Sequence, residues 1–150
     1  MEKELEKELE KILQITNGRE STCSCSTCQH MCRVAPCLGT PSDILKIAEA
    51  GHADKLLITG WAAGVPYNIP MVPMVQPKMT PTGCIFLVNN LCTLHEDGLK
   101  PTEGRLTKGC EVDVLTVNQL PVAFAVARTW GLVENNEIIK QILFAIKKHL

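Results

Sequence analysis

Five cysteines, Cys23, Cys25, Cys28, Cys32 and Cys37, crowd into a stretch with no hydrophobic pattern of its own. Residues 19–39 show neither the helical nor the strand period. Their few apolar residues do little to offset the entropy of ordering the backbone. Something other than a local core has to hold this segment. Cys84, Cys92 and Cys110 bring the total to eight cysteines in 150 residues. How they are used depends on the redox compartment. The chain opens Met1-Glu2-Lys3-Glu4-Leu5-Glu6-Lys7-Glu8, charged from its second residue, without the apolar centre of a signal peptide. No run approaches the roughly 18 uninterrupted apolar residues of a membrane span. The expectation is a cytoplasmic chain without a membrane segment, whose thiols stay reduced. Metal ligation or thiol chemistry then outranks disulfide formation.

Charge excludes other classes. Fifteen basic and 16 acidic residues leave a net charge of −1. A nucleic-acid coat or a polybasic anchor needs a cationic excess, so no bulk nucleic-acid binding is expected. Two Trp, one Tyr and three Phe are too few for a platform that stacks bases. An apolar content of 45% argues against disorder. A length of 150 residues suits one domain, 1–150, burying roughly 70% of its unfolded surface.

Residues 1–15 predict an amphipathic helix with Leu5, Leu9, Ile12 and Leu13 on one face, stopped by Asn17-Gly18. Its Glu and Lys residues are a solvated face. Thr40-Pro41-Ser42-Asp43 predicts a second helix start, with Thr40 as N-cap and Gly51 as the C-terminal stop. A short helical turn is expected at Asp54–Ile58. Residues 60–82, punctuated by Pro66, Pro70, Pro73, Pro77 and Pro81, predict an ordered, irregular loop packed on the core. Cys84–Val88 and Leu91–His95 predict a hairpin about Asn89-Asn90. Gly98–Gly109 is polar loop. Two closing helices are expected, about Leu120–Trp130 and about Glu137–His149. The second has Ile138, Ile139, Ile142, Leu143 and Ile146 on its apolar face.

Cys25-x-x-Cys28 is the spacing at which one turn of backbone offers two thiolates to one ion. Cys32 and Cys37 follow closely, and Cys84 and Cys92 supply a second pair about fifty residues on. The competing account of a cysteine is a small buried hydrophobe. Five cysteines in a polar loop have no core to enter, whereas for the isolated Cys110 that account is the better one. A redox CxxC needs a βαβ setting, which the pattern lacks.

These residues resemble a known family. Cys25-x-x-Cys28-x-x-Met31-Cys32, Gly83-Cys84-Ile85-Phe86-Leu87, Cys92-Thr-Leu-His95 and Lys100-Pro101-Thr-Glu-Gly104-Arg105 are similar to the YkgJ-type cysteine-cluster family. That family is described as zinc- or iron-chelating and carries a CxxCxxCC signature. The likeness runs from about residue 25 to 105. Met31 stands where the signature has a third cysteine, and Gly104 where a later R-P-x-x-C-R step has one. A thioether is a poor zinc ligand and glycine has no side chain, so both changes lower the ligand count. The resemblance implies Cys25, Cys28, Cys32, Cys84 and Cys92 as ligands. Cys37 joins them on proximity alone.

The hairpin constrains the second pair. With a two-residue turn at Asn89-Asn90, Val88 faces Leu91, Leu87 faces Cys92 and Cys84 faces His95, so Cys84 and Cys92 point to opposite faces. Either the hairpin is irregular or His95 replaces one cysteine as a ligand; an ordinary surface position is the plainer account of His95. Four cysteines, or three and a histidine, make a closed zinc site. All-cysteine ligation suits an iron–sulfur cluster equally.

Trp61 is most simply core packing; Glu103 and Arg105 could do acid–base work or bind an anion beside a metal, and a surface ion pair explains them equally well. No P-loop, GxGxxG or GxSxG is present. The expected architecture is α+β. It is a small, mostly helical single domain with a central β-hairpin and a cysteine-rich metal-binding loop. The expected function is binding of zinc or an iron–sulfur cluster. The alternative is a metal-dependent enzyme with an open coordination position beside the Trp61/Glu103 region, Glu103 or His95 carrying protons.

Overall fold

A computed structural model of the chain describes residues 33, 37–61, 72–89, 91–101, 116–117 and 120–148. The expected helix over 1–15 lies outside them. Helix α1 spans Pro41–Ile47. Its start is the one the sequence predicts. The Asp43 amide donates to Thr40 Oγ1 at 3.3 Å and the Thr40 amide to Asp43 Oδ2 at 3.0 Å. This capping box satisfies two donors that a helix start otherwise leaves unpaired. Pro41, Ile44 and Ile47 face inward. The helix closes through a wider turn, Ala48–His52, in which Gly51 has φ +96°. That left-handed conformation favours glycine.

Ala53–Lys55 makes one tight turn, and Leu56–Trp61 then forms strand β1. The expected helical turn over Asp54–Ile58 is therefore confined to its first residues. Strand β2, Val72–Pro77, pairs antiparallel with β1, from Leu56 opposite Pro77 to Trp61 opposite Val72. This corrects the irregular loop expected over residues 60–82, at least for 72–77. The prolines allow it because of which edge they occupy. The Lys78 amide donates to the Lys55 carbonyl at 2.9 Å, so even-numbered amides of this run point at β1. Pro73 and Pro77 are odd-numbered and turn their missing N–H away from the ladder.

Shorter hairpins follow. Met79–Thr80 (β3) pairs with Gly83–Cys84 (β4) around Pro81-Thr82. Leu87–Val88 (β5) pairs with Leu91–Cys92 (β6). Lys78 links the first two hairpins, since its carbonyl accepts from the Ile85 amide at 2.9 Å. The predicted return strand stops at Cys92, and Thr93–Glu96 becomes a helical turn, α2. Thr93 makes that switch by donating both its amide, at 2.9 Å, and its hydroxyl, at 3.0 Å, to the Phe86 carbonyl.

Near the C-terminal end, Thr116–Val117 (β7) pairs with Leu120–Pro121 (β8), and helix α3 runs Val122–Thr129. The sequence started that helix at Leu120; Leu120 and Pro121 instead close a hairpin. Asn136–Lys147 is helix α4. In the joint between α3 and α4, Thr129 and Asn135 are buried and bonded, whereas Val133 is exposed and Glu134 Oε2 is buried without a hydrogen-bond partner. Thr129 Oγ1 donates to the Val126 carbonyl at 2.6 Å, and Asn135 Nδ2 to the Thr129 carbonyl at 2.7 Å.

The described residues form an α+β arrangement of helices and small antiparallel sheets. Helix α4 packs on α1 and on the turns after it, while α1 and α3 both meet β2. Ile44, Ile47, Leu56, Met74, Phe86, Leu94, Val126 and Ile142 are all nearly inaccessible within one cluster. Full burial of each such side chain contributes about 1.5–3 kcal/mol relative to exposure. Among the described residues, no helix is long and apolar enough to cross a membrane.

Candidate functional site

Of the predicted metal ligands, Cys37, Cys84 and Cys92 fall within the described residues; Cys25, Cys28 and Cys32 lie outside them. Cys23, His30, Met31, Glu103, Gly104, Arg105 and Cys110 also lie outside.

Cys37 is half-buried and leads directly into a firmly anchored piece of backbone. Leu38 after it is core. Gly39 is gripped from two sides: a Cβ there would stand 2.9 Å from Asp43 Cβ, 3.2 Å from Pro101 Cβ and 3.3 Å from Ile44 Cδ1. A third hold comes from Trp130, whose Nε1 donates to the Gly39 carbonyl at 2.8 Å. Thr40 then caps α1. The residues just past the cysteine-rich segment are thus fixed to α1, to the 99–101 segment and to the end of α3.

Cys84 is buried, 8% exposed, and belongs to the core cluster. Cys92 is half-buried and packs against that cluster. Their relation follows the hairpin register only in part. Val88 pairs with Leu91 and Leu87 with Cys92, as a two-residue turn requires. Asn89 has φ +52°, the left-handed conformation expected at the first turn position. The predicted Cys84–His95 pairing is not formed. Cys84 pairs with Met79 instead, because the chain breaks the ladder at Ile85-Phe86 and again at Thr93. His95 lies in the backbone of α2.

Phe86, between the two cysteines in sequence, organises this corner. It is 1% exposed. The His52 ring meets it edge-on, with centroids 5.5 Å apart and planes at 83°, and Lys55 Nζ stands 5.7 Å from its centroid. The turn that closes α1 is thereby docked on the hairpins carrying Cys84 and Cys92.

Among the described residues, no three of His, Cys, Asp and Glu gather as a group able to hold a metal. Cys37, Cys84 and Cys92 do not complete a centre by themselves, and one that used them would need donors from outside the described residues. Sequence reasoning missed Trp130 and Pro101 as supports of the segment around Gly39. Neither carried a local signal, because each acts only through contacts made at long range. No protein-family model, no curated protein and no solved structure matches the chain.

Proposed function

We propose that the protein binds zinc or an iron–sulfur cluster through its cysteines. Cys25, Cys28 and Cys32 form the nucleus, with Cys37, Cys84 and Cys92 as the further candidates, in the manner of the YkgJ-type family it resembles. The bound metal orders the 19–39 loop within a single, mostly helical domain, and the reduced cytoplasm is where such thiols persist. One observation carries the reading: Cys37, Cys84 and Cys92 are each half-buried or buried, all in segments packed around one core. The loop supplies thiolates and few apolar side chains, so a metal is the agent that best offsets its ordering entropy.

Elemental analysis and a visible absorption spectrum of anaerobically purified protein test this. Stoichiometric zinc with a featureless spectrum identifies a thiolate zinc site. Iron with absorption through the visible range identifies a cluster. Metal-free protein that resists proteolysis throughout residues 19–39 overturns the proposal.

A further inference from the structure

We propose that the outer edge of β1 pairs with the same edge of a second copy of the chain, making an antiparallel four-stranded sheet across a two-fold axis. The two edges of the β1–β2 hairpin are built differently. Residues 73, 75 and 77 of β2 turn their backbone away from β1, and two of them, Pro73 and Pro77, have no N–H to offer. Strand β2 is also met by α1 and α3. The β1 edge has no such protection. In the same register its even-numbered residues turn away from β2. The Leu56 amide is used at once, bonded to the Ala53 carbonyl. Ile58 and Gly60 then each direct an N–H and a C=O outward, and β2 is the only strand beside them among the described residues. Gly60 is exposed and Ile58 is 49% exposed. Leu57, on the opposite face of the strand, is 44% exposed. An apolar strand edge that carries neither charge nor proline is a template for another strand.

Self-complementarity selects a second copy as the occupant. Leu56–Trp61 carries no charge, so two copies meet without repulsion. The outward groups also match themselves. With the two strands antiparallel, Ile58 of each copy stands opposite Gly60 of the other, and each such pair exchanges two N–H to C=O bonds. The adjacent register, Ile58 opposite Ile58, would set Leu56 against Gly60 and ask a second bond of the Leu56 amide that Ala53 already holds. The favoured register puts Thr59 opposite Thr59 on the two-fold axis, at a non-hydrogen-bonded position where side chains stand closest. Lys55 lies before the paired residues, so its two copies sit at opposite ends of the new ladder. The contact is short, so the dimer is reversible and governed by concentration.

Sedimentation equilibrium and amide hydrogen exchange on the full-length protein, in reducing buffer, test the pairing. The chain should pass from monomer to dimer as its concentration rises. The Ile58 and Gly60 amides, which point away from β2, should exchange at least about tenfold more slowly in the concentrated sample than in the dilute one. The Leu57 and Thr59 amides, which point at β2, should be protected in both. Gly60→Pro removes an outward donor without touching the β1–β2 bonds and should abolish the dimer. Thr59→Lys and Thr59→Glu should each raise the dissociation constant about fivefold, and their equimolar mixture should pair more tightly than either alone. The Thr59 variants decide the matter should Gly60→Pro fail to fold. A wild type that stays monomeric, exchange at Ile58 and Gly60 that ignores concentration, a folded Gly60→Pro protein that still dimerises, or a mixture no tighter than either Thr59 variant each overturns the proposal.

Discussion

The indole Nε1–H of Trp130 donates to the carbonyl of Gly39 at 2.8 Å, joining residues 91 positions apart. Trp130 follows α3 and is 3% exposed. Gly39 lies two residues past Cys37. The bond therefore ties the exit of the cysteine-rich segment to the C-terminal helices. Trp130→Phe keeps an aromatic ring and removes the donor, leaving a buried carbonyl unpaired. The expected cost is about 1–3 kcal/mol, read as a lower urea midpoint with an unchanged slope.

Gly39→Ala tests the same junction sterically. The new methyl group would stand 2.9 Å from Asp43 Cβ and 3.2 Å from Pro101 Cβ, and neither atom is the far end of a flexible side chain. Overpacking of this kind costs about 1–3 kcal/mol. Thermal unfolding of the variant should show the loss; unchanged stability would mean that the segment yields easily.

Removal of metal should act on the cysteine loop before it acts on the helices. With a strong chelator present, new proteolytic cuts are expected within residues 19–36, along with a lower melting temperature. The backbone from Leu38 onward has its own holds in the capping box and in Trp130, so cuts should not extend into α1 at the same chelator concentration.

Single Cys→Ser variants, assayed for bound metal, should divide into two groups. Cys25, Cys28, Cys32, Cys84 and Cys92 should lose most of it, because under the proposed ligation each substitution removes a thiolate from the coordination shell. Cys23 and Cys110 should retain it, and any loss there should be confined to stability. Cys84 needs a second readout, since it is also a core residue. Cys84→Ala keeps the site apolar, so metal lost from a still-folded Cys84→Ala protein marks ligation rather than packing. Full metal retained by both Cys84→Ser and Cys92→Ser would confine the site to residues 23–37.

Binding to random-sequence duplex DNA should be weak at physiological salt. The net charge is −1, and few phosphate contacts means little counterion release. Fluorescence anisotropy at two salt concentrations measures both affinity and slope; tight binding with a steep slope would contradict the expectation.

Local chemistry made part of this fold legible. Thr40, Pro41 and Asp43 are a helix start wherever they occur together, because cap, ring and carboxylate act within one turn. Gly51 and Asn89 mark reversals for a similarly local reason, as residues that tolerate positive φ. The Val88–Leu91 and Leu87–Cys92 pairs followed from turn length alone. What the sequence could not decide is where each ladder ends and which partners meet at a distance. Pro73 and Pro77 argue against a strand until it is known that their side of β2 faces away from β1. Cys84 was expected opposite His95, but bonds from Thr93 to the Phe86 carbonyl end that ladder early. Leu143 belongs to the helical apolar stripe by periodicity, yet only packing could show that Ile142 and Ile146 are buried while Leu143 is left at the margin. The meeting of Gly39, Pro101 and Trp130 left no trace in any of the three neighbourhoods. Capping, turns and periodicity act over a few residues and are written in order along the chain. Ladder ends, burial and close approach depend on which distant segments share one volume, and the tertiary structure alone settles that.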